Sequence, residues 1–480
     1  MIQQEGNMFH LESVKRITRH PLFMLAVVIV AFLVAFVSVL SEPRVQQMGS
    51  DPYFIFQVIP VPYWIGISVI VCTLFFMIPH LKENRFRALF IFSSIALVIC
   101  FRMVFPIIFT TVPAYEPDAA NYMNIMSSWV TRGIDFGIPG NYQYDFPMSF
   151  LVAFAFVKLG VPLDTFYRVA PFVIYALDII FLYLLVEKVM PENKKSAIPA
   201  LSVFLFSFSS LGYWVTVHYC PDLFGSLMFF VCLYLGVRFA KAGEWSVKSL
   251  LPVFVSLFVL ILSHHLSTLY LIVTFFGLSL SVWFFKPVQF KRGPLAFFIL
   301  AIFTYSVWFV YGSLMYPSFF DVYVYFSGFG SVTTQSASAG LSINLNFVIY
   351  PFFIFVLFAI EFLKVLQIQN PLSLFKHIRE KLREIRIRES GNTLLVFSVG
   401  FIFVFVLFVV GLGVPVLFGT RILEVLFIGL YPLASQTLLN LADGNSSRKK
   451  KAFIFVIVLL VVLGSLFRYY NQIQRRVILL

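Results

Sequence analysis

The feature that most constrains this chain is a series of apolar segments, each long enough to cross a lipid bilayer as a helix. A bilayer core about 30 Å thick needs roughly 20 apolar residues in a helix, and about thirteen segments of the sequence meet that length. Only 12% of the residues are charged, whereas soluble domains carry about a quarter. The alternating ten-residue pattern of a transmembrane β-barrel does not appear. The sequence therefore predicts an all-α, polytopic membrane protein.

The predicted spans are joined mostly by short loops, and the charges of these loops predict an orientation. The spans cover residues 22–41, 60–80, 88–109, 162–187, 196–216, 222–239, 249–264, 267–285, 294–313, 347–365, 393–416, 421–441 and 452–468. Most of the 35 Lys and Arg residues fall in loops on one side, as short cytoplasmic loops do. We therefore expect a multi-pass protein of the cell membrane with a cytoplasmic N-terminus and an outer C-terminus. Its net charge of +13 requires no nucleic-acid partner.

Loop lengths divide the predicted protein into three regions. Residues 1–87 comprise an N-terminal cytoplasmic segment and an extra helical hairpin, and residues 88–285 form a central core with a long outer loop at 110–146. Residues 286–480 hold the remaining spans. This last region includes an outer loop at 314–346, rich in Gly, Ser and Thr, and a basic cytoplasmic loop at 366–392. Long loops of this kind often carry function.

Polar side chains gather at the predicted outer face. The stretch YEPDAANYMNIMSSWVTRG brings Glu116 and Asp118 directly after an apolar run. Asp222 follows a proline at the start of a later span, and His264 and His265 occupy another outer turn. These groups share a face of the membrane by topology, and the sequence alone does not bring them together in space. The outer face is nevertheless where the sequence places candidate chemistry.

Two charged residues, Arg102 and Asp178, fall inside predicted spans. Exposure of the Arg102 charge to lipid would be costly, so Arg102 is expected to face protein or water. It could pair with Asp178, but nothing in the sequence places the two together. The four cysteines show no CxxC or paired spacing, which predicts neither a disulfide framework nor a zinc site. Only Cys220 lies near the predicted outer surface.

An ordered set of motifs then resembles a known superfamily. EPDAANYMNIMSSWVTRGIDFGIP, with the YDFPMSFLVAFAFVKLG that follows it, resembles the first outer loop of the GT-C polyprenyl-phosphate-dependent membrane glycosyltransferases. The closest branch is that of the protein O-mannosyltransferases and the lipid A aminoarabinose transferases. In that family an acidic residue and a Tyr four positions later open a juxtamembrane helix, here Asp118 and Tyr122. A short helix led by proline, an Arg-containing helix start and a Pro-acid pair follow, here at Pro147, Arg168 and Asp222.

The resemblance implies a GT-C-like fold with juxtamembrane helices in the first long outer loop. It also implies transfer of a sugar from a polyprenyl-phosphate donor to a protein, lipid or glycan acceptor at the outer face. It covers residues 88–285 well and the remainder by hydropathy only. Two departures are present: Ala119 stands where many members have a second acid, and Phe146 stands where many have Lys or His.

The implied chemistry assigns roles to the acidic residues. A carboxylate is ionised at neutral pH, and it can take the proton of an acceptor hydroxyl in a single inverting displacement. Asp118 is the candidate base, with Glu116 beside it, and Tyr122 and Asp222 are candidate substrate-binding residues. A divalent cation, Mg²⁺ or Mn²⁺, is left open, with Glu116, Asp118 and Asp222 as its oxygen ligands.

The donor phosphate calls for positive charge or N–H donors in a poorly hydrated site. Arg421 at the start of RILEVLF, together with His264 and His265, are the candidates. Two alternatives stay open: Arg421 could pair with Glu424 one turn away, and the histidines could bond only to neighbouring backbone or water. A transporter or flippase of lipid-linked glycans and a structural subunit are the rival function classes. Neither rival needs a catalytic carboxylate.

Overall fold

The computed structural model describes most of the apolar segments. The described residues are 20–41, 57–81, 83–108, 117–136, 146–190, 197–208, 219–242, 246–285, 293–315, 345–365, 393–406 and 416–443. Within these ranges the side chains at 102–108, 117–120, 312–315, 345–352, 365, 405–406, 416–424 and 442–443 are outside the described set.

Most of the described residues are helical, and none of them is in a β-strand. The first seven helices are α1 (Pro21–Ser41), α2 (Val61–Met77), α3 (Asn84–Ile108), α4 (Pro117–Arg132), α5 (Pro147–Lys158), α6 (Leu163–Val189) and α7 (Ile198–Ser207). The others are α8 (Pro221–Ala242), α9 (Val247–Ile261), α10 (His265–Phe285), α11 (Gly293–Met315), α12 (Leu345–Val365), α13 (Thr393–Val406) and α14 (Val416–Asp443). A helix satisfies its own backbone hydrogen bonds, which is what a segment in lipid requires.

Seven helical segments among the described residues are long and apolar enough to cross a membrane: 21–41, 61–80, 84–101, 163–189, 221–242, 265–285 and 293–311. The prediction of a helical membrane protein is therefore confirmed. The count of thirteen spans and the orientation stay predictions. The last predicted span, 452–468, lies outside the described residues.

The first three helices pack on one another, and α3 joins them to the rest of the bundle. Helix α1 contacts α2 and α3, and α3 in turn packs against α6 and α7. The α1–α2 contact depends on Gly66, because a Cβ there would lie 2.5 Å from the carbonyl oxygen of Ala31. Small residues allow such close approach where lipid gives no hydrophobic drive between helices.

Helices α6, α7, α10, α12, α13 and α14 are joined by side-chain hydroxyls. The Ser202 and Ser435 hydroxyls lie 3.1 Å apart, and the Ser281 hydroxyl donates to the Val396 carbonyl at 2.6 Å. Ser398, Thr437 and Thr393 likewise donate across helix pairs, to the carbonyls of Gly429, Leu357 and Val189. In a membrane such bonds are worth on the order of 0.6 to 2 kcal/mol each. They fix the register of this part of the bundle.

The short helices α4 and α5 lie together at one end of α6 and α8. Helix α4 contacts α5 and α6, and α5 contacts α6 and α8. Their shared apolar cluster includes Trp129 from α4, Phe150 from α5, Tyr167 from α6 and Leu223 from α8. The cluster also contains Cys220, which is buried within it. Pro117, Pro147 and Pro221 each begin a helix, as the motifs predict.

Candidate functional site

Asp222, at the start of helix α8, is the one predicted acidic site residue whose side chain the structure describes. Pro221 is the first residue of α8, and Asp222 lies in its first turn. A negative charge is favourable there because the first N–H groups of a helix form the positive end of its dipole. The Asp222 side chain is 28% exposed, so it meets both protein and solvent.

His264 contacts this carboxylate from the turn before α10. Its Nε2 atom pairs with Oδ1 of Asp222. On the other side of the ring, Nδ1 accepts the backbone N–H of Ser267 at 3.3 Å and lies 2.8 Å from the Ser267 hydroxyl. Because Nδ1 accepts, the neutral ring carries its hydrogen on Nε2 and donates it to Asp222. The three side chains form a continuous chain of hydrogen bonds.

Close packing brings α8 to this turn. A Cβ on Gly225 would lie 2.5 Å from the Cβ of His264 and 3.1 Å from the Ser267 hydroxyl. Any larger residue would therefore push the histidine away from α8. Gly225 is one of the residues that sequence reasoning missed. It follows Asp222 by three positions, so it lies on nearly the same helix face.

The start of α5 reaches the same turn. The Met148 N–H donates to the carbonyl of Leu262 at 3.1 Å, and the Phe146 ring lies 5.1 Å from the ring of His265. Phe146 at the start of α5 therefore packs against a histidine from another helix.

A buried tyrosine ties α5 to the residues just before α8. The hydroxyl of Tyr219 donates to the carbonyl of Ser149 at 2.7 Å. Burial raises the pKa of Tyr219 well above its usual value, which keeps the hydroxyl protonated as a donor. Tyr219 was not singled out from the sequence, because an isolated tyrosine before a span carries no pattern.

Tyr122 connects α4 to this arrangement. Its ring lies 5.6 Å from that of Phe150, edge to face, and it packs on the cluster that contains Leu223, the neighbour of Asp222. Asp118 lies one helical turn before Tyr122 on α4, so the two share a helix face. The Asp118 side chain and the whole of Glu116 are outside the described residues. The predicted approach of Asp118 to Asp222 therefore stays a prediction.

The structure describes the side chain of one of the two arginines that the sequence singled out at the outer face, and not that of the other. Arg168 is paired within its own helix, with its Nε atom 2.7 Å from Oδ2 of Asp164. Arg421 belongs to α14, but its side chain and that of Glu424 are outside the described set. The two alternatives for Arg421 therefore both remain.

A second carboxylate, Asp178 of α6, lies in the interior of the bundle. It is contacted by Ser226, which lies one turn along α8 from Asp222. The Ser226 hydroxyl donates to Oδ2 of Asp178 at 3.3 Å. Asp178 is only 1% exposed, and its Oδ1 atom has no hydrogen-bond partner among the described residues. Asp178 therefore faces protein. Its pairing with Arg102 concerns a side chain outside the described set.

The described residues contain no group of three or more His, Cys, Asp or Glu side chains that could hold a metal ion. Of the three ligands that the sequence offers, only Asp222 has a described side chain, and its Oδ1 is bonded to His264. Glu116 and Asp118 fall outside that comparison. The cation therefore stays an open expectation.

Comparisons with solved structures give a likeness at low sequence identity. No family model matches the chain, and no curated protein matches it. The chain is similar to a solved oligosaccharyltransferase of Archaeoglobus fulgidus, tethered to an acceptor peptide containing the NVT sequon, with 11% identity and a TM-score of 0.48. The alignment covers 82% of this chain and 55% of that one, so this chain corresponds to only part of that protein. A likeness at this level does not establish a common fold.

Proposed function

We propose that the protein is a membrane glycosyltransferase of the GT-C type. It transfers a sugar from a polyprenyl-phosphate donor to a protein, lipid or glycan acceptor at the outer face of the cell membrane. One observation carries the proposal: three motifs of the resemblance and the histidine turn meet at one end of the bundle. Tyr122 of α4, the start of α5 at Pro147, Asp222 of α8 and His264 of the turn before α10 converge there.

The proposed reaction is a single displacement at the anomeric carbon of the sugar. The acceptor oxygen forms the new bond to that carbon as the bond from the carbon to the donor phosphate oxygen breaks. The phosphate leaves with the electron pair, and the proton of the acceptor passes to the carboxylate of Asp118. Glu116 orients the acceptor or helps to hold a divalent cation. The configuration at the anomeric carbon is inverted, as in single-displacement glycosidases.

The donor phosphate needs N–H donors or positive charge in a poorly hydrated site. Arg421 and His265 are the proposed contacts, with Tyr122 and Asp222 binding the sugar or the acceptor. Because His264 already has a partner on each ring nitrogen, its contacts favour Asp222 over the donor phosphate. The orientation with this site outside follows from the distribution of Lys and Arg in the loops.

The test begins with mass analysis of the glycans and lipid-linked sugars that change when the chain is deleted. The identified donor and acceptor are then used with purified protein in lipid. Asp118→Asn should lower the rate on the order of 10² to 10⁴-fold, because it removes the proton acceptor but keeps the volume. Asp135→Asn, the same change on the exposed residue after α4, is the matched control and should keep the parental rate.

Glu116→Gln separates two versions of this mechanism. It should cost less than Asp118→Asn if Glu116 only orients the acceptor, and about as much if a cation is essential. Chelation with EDTA and restoration with Mn²⁺ or Mg²⁺ should then follow the same division. Transfer at the parental rate by purified Asp118→Asn protein would refute the assignment of the base.

The second candidate function is a transporter or flippase of lipid-linked glycans, and Asp178 is the observation that favours it. A carboxylate inside a membrane span is expensive, and such residues often mark a pathway for ions or substrates. Asp178 is buried rather than lining a described cavity, which favours the transferase. The two functions make opposite predictions for Asp178 and Asp222.

A further inference from the structure

His264 is more than a polar residue at a helix end. It is 4% exposed, and the two nitrogens of its ring serve two different helices. Nδ1 is bonded within its own segment, to Ser267 in the first turn of α10, while Nε2 is bonded to Asp222 in the first turn of α8. The ring therefore bridges the starts of α8 and α10.

Capping the helix does not by itself require histidine. The Nδ1 atom accepts from the N–H three residues later, which is the bond that Ser, Thr, Asp or Asn makes at an N-cap. Imidazole adds a second group on the opposite side of a rigid ring, namely the Nε2–H donor. Gly225 allows α8 to come close enough for that donor to reach Asp222.

We propose that His264 is a positioning residue for Asp222, fixed by Ser267 in the tautomer that carries hydrogen on Nε2. This inference rests on the proposed function for the work that Asp222 does, but the pairing itself does not. A neutral imidazole orients the carboxylate and leaves the negative charge of the pair in place. Arg or Lys in the same position would neutralise that charge and weaken its action on an acceptor or a cation.

The pairing can be tested without any substrate. The chain has seven histidines, so full-length protein labelled with ¹⁵N-histidine in lipid bilayers gives few imidazole signals in solid-state NMR. The signals absent from His264→Asn protein belong to His264. They should report hydrogen on Nε2 only, and the Nε2 signal should shift in Asp222→Asn protein. A hydrogen on Nδ1, or an Nε2 signal that ignores the change at Asp222, overturns the proposal.

Two substitutions then separate positioning from capping. His264→Gln places an amide N–H near the position of Nε2 and loses the cap, whereas His264→Asn keeps an N-cap acceptor and cannot reach Asp222. In the transfer assay, His264→Gln should keep most of kcat/KM, and His264→Asn should lose on the order of tenfold to 100-fold, because misplacement of a reacting group has costs of that size. Thermal unfolding should show the reverse order.

An active, stable His264→Asn protein together with an inactive His264→Gln protein would overturn the proposal, leaving only a structural cap. Failure of the proposed function is a separate result, seen as parental transfer by Asp118→Asn protein. The NMR measurement decides the pairing in either case.

Discussion

Helix α8 presents two carboxylate contacts one turn apart, and they lie in opposite environments. At its start, Asp222 is partly exposed and is bonded to an imidazole that is itself fixed by Ser267. One turn further in, Ser226 donates to Asp178, which is almost fully buried. The comparison separates a carboxylate that is accessible and oriented from one that is enclosed. Chemistry on a substrate requires the first kind, and packing of a bundle interior tolerates the second.

The largest expected effect is on the rate of sugar transfer when Asp222 loses its charge. Asp222→Asn should lower sugar transfer on the order of 100-fold, because it removes the charge and weakens the bond from His264 that orients the group. Asp178→Asn makes the same chemical change in the interior and should leave transfer within about threefold, since amide and carboxylate have similar volume. Rates of both purified proteins with the same donor and acceptor check the contrast. The reverse order would favour a transporter over a transferase.

A smaller effect should come from packing alone. Gly225→Ala removes no polar group but puts a methyl group 2.5 Å from the Cβ of His264, which must shift. We expect a loss of about tenfold in kcat/KM because small displacements of reacting groups are costly. Gly66→Ala is the matched control, since its methyl group would lie equally close to the Ala31 carbonyl in a contact between α1 and α2. Both proteins should be destabilised, but only Gly225→Ala should lose activity beyond its loss of folded protein.

The smallest expected effect is on stability, when the buried Asp178 loses its hydrogen bond from Ser226. Ser226→Ala removes the single described donor to Asp178, and buried hydrogen bonds between membrane helices contribute on the order of 0.6 kcal/mol. The free energy of unfolding in detergent should fall by about that amount, and transfer should be unchanged. A large loss of transfer would show that the Asp178 contact communicates with the site one turn away.

The motifs predicted local structure at several positions. Pro147 and Pro221 begin helices because proline fits the first helical position, where a missing N–H costs nothing. Asp118 and Tyr122 share a helix for the same local reason. The cap formed by His264 carries no comparable sequence signal, because histidine is not among the preferred N-cap residues and its bond is to a backbone N–H. The role of Asp118 could be inferred only through the resemblance, and it remains a proposal.

The sequence by itself determined that the chain is a helical membrane protein, because the length and apolarity of a span are properties of one continuous segment. Only the tertiary structure decided which polar groups meet. Asp222 lies on α8 and His264 in the turn before α10, and their pairing depends on the absence of a side chain at Gly225. The burial of Cys220 and the contact of Phe146 with His265 were likewise settled by packing. Hydropathy has no term for contacts between helices, and so the sequence could supply the members of the site but not their partners.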